Sequence, residues 1–196
     1  VVFVGRLSEE KNIDVLLHAW RRVAALAKRA VQLELWGRGP ILAEMQQLCG
    51  KLGIDNCVFF RGHVDSVRQM LAGMNVFVLP SSAEGNSNAI LEAMAAGLPI
   101  VSTRVGGTPM LVGPEGSPFL VQPRDEEALS IRLLQLIDDV GLRTSTGDAM
   151  RERVLAHFEM GRVAETYAAA YALLAAGRRD DVTRISHEFI CENCNW

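Results

Sequence analysis

Val76, Phe77, Val78 and Leu79 are four apolar residues in a row, with no polar residue alternating between them. A strand with one wet face alternates; an unbroken run suits a strand buried on both faces, as in a parallel sheet covered by helices on each side. The next stretch narrows the choice. Residues 80–107 read as loop, helix, strand and glycine pair. Glu84 stands in a small polar loop. A helix begins near Ser87 or Asn88 and carries Glu92 in its first turns. A second apolar run spans residues 98–102 and ends in Gly106-Gly107. In an open α/β sheet, loops at the carboxyl ends of parallel strands meet helix N-termini there, and ligands bind in that crevice.

The rest of the chain repeats the alternation. Residues 1–4 read as a buried strand, followed by a turn at Gly5-Arg6-Leu7-Ser8. A helix over 11–27 presents Ile13, Leu16, Leu17, Trp20, Val23, Ala24 and Ala27 on one face. Residues 31–36 form a second strand, broken by Gly37-Arg38-Gly39-Pro40, and Pro40 suits the first position of a helix to about residue 52. A third strand over 57–60 ends at Gly62, and a short helix spans 64–72. The fourth strand is 76–79 and the fifth 100–103; one helical turn at 108–112 leads to a sixth strand at 119–121. Helices over 125–138, 149–157 and 162–176 come next, and residues 177–196 read as an irregular tail. The pattern predicts an α/β fold: a Rossmann-like, doubly wound parallel sheet of six strands in the order 3-2-1-4-5-6, with C-terminal helices.

Bulk properties exclude several functions. A net charge of -3 with no dense basic patch argues against nucleic acid as a partner. No apolar run reaches the roughly 20 residues of a membrane span. Residues 1–4 read as a strand and not a leader, and four cysteines show no disulfide-framework density, so a reducing, cytoplasmic setting is expected. The first residue is Val and not Met, which suggests a piece of a longer protein.

Arg6 and Lys11 come after the first strand, where a phosphate would meet backbone N–H groups, a helix dipole and two cations. Set against that, two charges beside Glu9 and Glu10 also suit an ordinary solvated surface. Glu84 and Glu92 allow three readings. They suit a hydrolytic acid/base pair, or acceptors for sugar hydroxyls at about 1.5–3 kcal/mol per charged hydrogen bond. They also suit a loop charge and a helix N-terminal residue favoured by the dipole. No GxGxxG comes after the first strand, so a nicotinamide dehydrogenase is poorly supported, and neither a P-loop nor a G-x-S-x-G elbow occurs. His18 is expected on a helix surface and His63 in a loop. His187, Cys191 and Cys194 form the one local candidate for a metal cluster, a weak signal with only three ligands.

Together the segments VVFVGRLSEEKNIDVLL, LWGRGP, VFFRGHVDSV, VFVLPSSAEGNSNAILEAMAAGLPIVSTRVGG and HFEMGRVAETYAAAY resemble the C-terminal, donor-binding domain of GT-B-fold retaining glycosyltransferases. The particular likeness is to family 4 and its bacterial polysaccharide-assembly members, and it covers residues 1–176. The resemblance implies a set of roles. Arg6 and Lys11 would bind the donor diphosphate and stabilise the leaving group, beside Gly5. Glu84 would hold donor-sugar hydroxyls and Glu92 the nucleotide ribose. Backbone N–H groups near Asn88 and Ala89 would meet the sugar and distal phosphate. Gly37 to Pro40, with Arg38 and Gly39, and the Gly62-His63-Val64 loop would flank the base. Asn86 and Ser87 stand where the family often has an aromatic residue and then Gly, so donor choice is expected at that spot. The resemblance implies no cofactor and no metal beyond the nucleotide-sugar substrate. It implies an acceptor glycan or lipid-linked sugar, a partner N-terminal acceptor domain absent from this sequence, and peripheral association with the inner face of the membrane. Phe158, Tyr167 and Tyr171 would pack back across the cleft between the two domains. The alternative is a non-catalytic nucleotide-sugar binding module.

Overall fold

The structure is a computed structural model that describes residues 1–182. Six strands form one sheet: β1 (Val2–Val4), β2 (Leu33–Trp36), β3 (Val58–Gly62), β4 (Phe77–Leu79), β5 (Ile100–Thr103) and β6 (Leu120–Val121). Every pairing is parallel and the order is β3-β2-β1-β4-β5-β6. This is the predicted order. It puts the topological switch between β1 and β4, whose exits carry Arg6 and Glu84.

The helices are α1 (Ile13–Leu26), α2 (Leu42–Leu52), α3 (Val67–Leu71), α4 (Asn88–Ala95), α5 (Thr108–Gly116), α6 (Glu126–Asp138), α7 (Val140–His157) and α8 (Met160–Ala175). α1 packs with α2 and α6, while α7 packs with α4 and α5. All residues of β4 and β5 are buried, so both faces of the sheet are covered there. β2 differs: Leu33 and Leu35 are buried, but Glu34 and Trp36 are only half-buried. The Leu-Glu-Leu-Trp alternation is the sequence mark of a strand covered on one face only. Trp20, Phe3 and Phe77 are fully enclosed in the core, and burying a side chain of this kind contributes about 1.5–3 kcal/mol.

Several boundaries differ from the sequence expectation, each for a local reason. The helix expected from residue 11 starts at Ile13. Residues Glu9–Lys11 form a separate 3-10 turn, and Asn12 breaks the path with φ 47°, ψ 48°. Lys11 therefore stands on its own turn and not in the first turn of α1. Pro40 lies before α2, which begins at Leu42 after Ile41. α3 is shorter than expected, and α7 begins at Val140, where Asp139 accepts the Leu142 N–H at 2.9 Å. Asp125 caps α6 in the same way through the Ala128 N–H at 2.8 Å. Such caps contribute about 1 kcal/mol each.

The helical turn expected at 108–112 is present, and a sharp kink at Gly113 (φ 61°, ψ -166°) ends it before the chain resumes to Gly116. The buried Arg153 of α7 completes this break, donating to the Leu111 and Met110 carbonyls at 2.8 Å each. α8 comes after α7 with Tyr167, Tyr171 and Leu174 exposed. Among the described residues no helix is long and apolar enough to cross a membrane. His187, Cys191 and Cys194 lie outside the described residues. His18 is half-buried and not on the open surface.

Candidate functional site

The carboxyl ends of the strands form a rim stitched together by backbone contacts. Gly5 N–H donates to the Trp36 carbonyl at 3.0 Å, Leu7 N–H to Arg38 at 3.0 Å, and Gly37 N–H to Gly62 at 2.7 Å. The exits of β1, β2 and β3 are thus laced edge to edge. Glycine is needed for this: a Cβ at Gly37 would run into the Gly5 carbonyl, and one at Gly39 into the Leu7 carbonyl. Gly106 and Gly107 serve the other half of the rim. A Cβ at Gly106 would strike the Glu84 carbonyl and one at Gly107 the Asn86 side chain, and Gly107 N–H donates to Gly85 at 3.2 Å. The glycine pair admits the Glu84 loop.

The turn at residues 9–12 is sewn to that loop. Asn12, buried, donates through Nδ2 to the Pro80 carbonyl at 3.1 Å. Ser82 N–H donates to the Glu10 carbonyl at 2.8 Å. Lys11 Nζ then reaches Glu84 Oε1 at 2.6 Å, with 19% and 9% of the two side chains exposed. Ser81 Oγ donates to the same oxygen at 2.6 Å, and its own carbonyl accepts from Thr103 Oγ1. Lys11 is therefore not the solvated charge that its acidic neighbours suggest. Oε2 of Glu84 has no protein partner among the described residues. At the turn's outer edge the Ser8 hydroxyl donates to Glu10 Oε1 at 2.6 Å. That bond foremost, then the Glu10 backbone, holds the Glu10 carboxyl below the usual carboxylate range, with Lys11 and Arg6 adding to it.

α4 opens onto the same loop. Its first helical bond runs from Leu91 N–H to the Ser87 carbonyl at 3.2 Å, and the Ser87 side chain accepts the Ile90 N–H at 3.4 Å. The N–H groups of Asn88 and Ala89 have no protein acceptor among the described residues, the arrangement that makes a helix start an anion site. Glu92 is exposed one turn further on.

A cavity of about 420 Å³ lies beside the β1–β3 exits, walled by Gly5, Arg6, Trp36, Arg38, His63 and Val64. This size is within the ordinary range for a small-molecule site. A separate cleft of about 340 Å³ at the opposite strand ends, near Gln32 and Asn75, contains none of the residues singled out from the sequence.

Of the expected residues, Gly5, Arg6, Arg38 and Val64 share the cavity. Gly39 laces the rim behind it, Lys11 joins Glu84, and Asn86 packs against the glycine pair. Asn88 and Ala89 form the open helix start. Among the described residues Glu92 shares no hydrogen bond or ion pair with Glu84, and it does not line the cavity. Sequence reasoning missed Ser81, Asn12 and Trp36. Trp36 had a signal, since it directly precedes the Gly37-x-Gly39 break. Ser81 and Asn12 had none, because their partners are set by the tertiary stitching. Among the described residues, no group of three or more His, Cys, Asp or Glu side chains gathers to hold a metal.

Residues 1–139 match the family described as "Glycosyl transferases group 1". N-acetyl-alpha-D-glucosaminyl L-malate synthase of Bacillus anthracis is 28% identical over 171 residues, covering 87% of this chain and 44% of that protein. Among solved structures, sucrose-phosphate synthase of Thermosynechococcus elongatus superposes with a TM-score of 0.79 at 30% identity, over 90% of this chain and 45% of that one. Anabaena HepE, solved in complex with UDP, superposes at 0.76 with 24% identity, over 86% of this chain and 48% of that one, a likeness of fold. This chain spans about half the length of these relatives. By sequence match and by its six-stranded parallel sheet, it belongs to the group 1 glycosyl transferases and has the architecture of one GT-B domain.

Proposed function

We propose that this chain is the donor-binding half of a retaining glycosyltransferase, which moves a hexosyl group from a nucleoside-diphosphate sugar to an acceptor hydroxyl. The observation that carries the reading is the Lys11–Glu84 contact. It joins residues 73 apart in sequence and brings a cation from the β1 exit to a carboxylate from the β4 exit, beside the open start of α4. HepE, with the same fold, binds UDP, which supports a nucleotide at this rim.

In this reading the base enters the 420 Å³ cavity and Glu92 takes the ribose hydroxyls. Arg6 and Lys11 hold the diphosphate. Arg6 offers a planar fork to two phosphate oxygens and Lys11 a point charge. The Asn88 and Ala89 N–H groups face the sugar and distal phosphate, and Glu84 accepts from sugar hydroxyls through Oε2. The bond between the anomeric carbon and the diphosphate oxygen breaks. The acceptor oxygen bonds to the same carbon from the same face, and its proton goes to the departing oxygen. Negative charge grows on the diphosphate as this happens. Fixed cations and a helix start aimed at it lower the barrier without reorganising. We propose that these groups carry that electrostatic load and that no divalent metal is required. The acceptor, a glycan or lipid-linked sugar, would be bound by a second, N-terminal domain, with the whole enzyme at the cytoplasmic face of a membrane.

Isothermal calorimetry with UDP, GDP and ADP tests the proposal. One of the three binds, Arg6→Ala and Glu92→Ala each weaken it roughly tenfold, and addition of EDTA leaves the affinity unchanged. Failure of all three nucleotides to bind, or indifference to both substitutions, overturns the reading.

A further inference from the structure

Trp36 closes β2 and forms part of the cavity wall beside Gly37 and Arg38. Its indole is tied down. Nε1 donates to Glu34 Oε2 at 2.8 Å. The other carboxylate oxygen of Glu34 accepts from Arg61 Nη2 of β3 at 2.8 Å. The Arg61 guanidinium also lies over the Phe59 ring, 4.8 Å from its centroid. Glu34 and Trp36 are two apart on β2, and β3 pairs with it from Leu33–Val58 to Leu35–Phe60, after which the register shifts to Trp36–Gly62 and leaves Arg61 as the extra residue. The two hydrogen bonds bring the three side chains together on the face of β2 that remains half-covered. A chain of contacts runs from Phe59 through Arg61 and Glu34 to the indole.

A tryptophan has few internal rotations, and its ring is set once its N–H is bonded. A carboxylate held on its far oxygen by a guanidinium is itself fixed. Trp36 is thus a cavity-lining residue whose indole orientation is decided outside the cavity. We propose that Trp36 is the residue that contacts the donor's nucleobase, and that Glu34 and Arg61 are positioning residues that set its ring. The inference rests on the nucleotide-donor reading above and extends it to the base.

Intrinsic fluorescence and calorimetry of the 196-residue chain test it together. The chain has three tryptophans; of the two described, Trp20 is fully enclosed in the core and only Trp36 walls the cavity. The nucleotide that binds in calorimetry is expected to quench the emission, and Trp36→Phe to abolish the quench. Trp36→Ala is expected to weaken that nucleotide roughly tenfold, the scale of one lost base–aromatic stack, and to leave inorganic pyrophosphate binding unchanged. Glu34→Ala is expected to shift the Trp36 emission maximum and to weaken the nucleotide severalfold, again sparing pyrophosphate. Glu34→Gln, which keeps an acceptor for the indole, should recover most of the affinity. Circular dichroism confirms that each variant folds; if Trp36→Ala does not, the Trp36→Phe quench decides alone.

Three results overturn the proposal and leave the donor reading standing: a quench that survives Trp36→Phe, nucleotide affinity indifferent to Trp36→Ala, or equal losses for nucleotide and pyrophosphate. The absence of any nucleotide binding by the unsubstituted chain overturns both.

Discussion

Glu84 Oε1 accepts from Lys11 and from Ser81, both at 2.6 Å, and this pair of donors fixes where the carboxylate's second oxygen points. The ion pair is mostly shielded from water, so removing one partner leaves the other charge poorly compensated. A double-mutant cycle with Lys11→Met and Glu84→Gln, read by urea unfolding, should give a coupling of about 1–2 kcal/mol. A coupling near zero would mean that the contact is not populated in solution. Glu34 supplies a pH signature at the same scale. Burial pushes its carboxyl up, but hydrogen bonds from Arg61 and Trp36, with the Arg61 charge, outweigh burial and bring it below the ordinary value of 4.5. A carboxyl lowered by folding contributes stability that is full above its unfolded pKa and lost as pH falls through the folded one. The stability gap between the unsubstituted chain and Glu34→Gln should therefore shrink as pH falls from about 5 to below 4.5. Urea midpoints measured across that range check it.

At the scale of elements, glycines divide by what surrounds them. Gly106 has φ 50° and the Glu84 backbone against it, while Gly50 in α2 faces open space. Gly106→Ala should cost about 2 kcal/mol or more and weaken nucleotide binding, because the Glu84 loop must move. Gly50→Ala should stabilise by about 0.5–1 kcal/mol and leave binding alone. Thermal unfolding with and without nucleotide separates the two cases. The elements were legible wherever a single stretch decides them: the unbroken Val76 to Leu79 run, the face of α1 from Ile13 to Val23, the acidic start of α6. They were illegible where a distant residue decides. Nothing near Asn12 announces a left-handed break, because the stabilising bond goes to Pro80. Nothing near Gly113 announces that Arg153 donates to the freed carbonyls. The candidate site divides along the same line. Arg6, Arg38 and Asn88 lie at strand exits and helix starts that local pattern locates, whereas the Lys11–Glu84 contact needs the 3-2-1-4 strand order before the two ends become neighbours.

Across the whole molecule, the sheet and α1 to α7 share one continuous core, and α8 extends from it with Tyr167, Tyr171 and Leu174 exposed. A helix whose described large apolar side chains are this exposed opens at low free-energy cost. Limited trypsin digestion should therefore cut at Arg178 and Arg179 and within α8 well before any site between residues 2 and 157, as mass spectrometry of the fragments would show. Early cleavage inside the core would contradict this. The laced rim has a different consequence, for anyone wishing to change what the protein accepts. Its glycines are committed to holding one loop against the next, so the loops themselves offer little room for insertion or resculpting. The side chains of Arg38, His63 and Val64 on that frame carry no such duty. New ligand preferences should therefore be reachable by single exchanges at those positions, on a scaffold that stays put while its fittings are swapped.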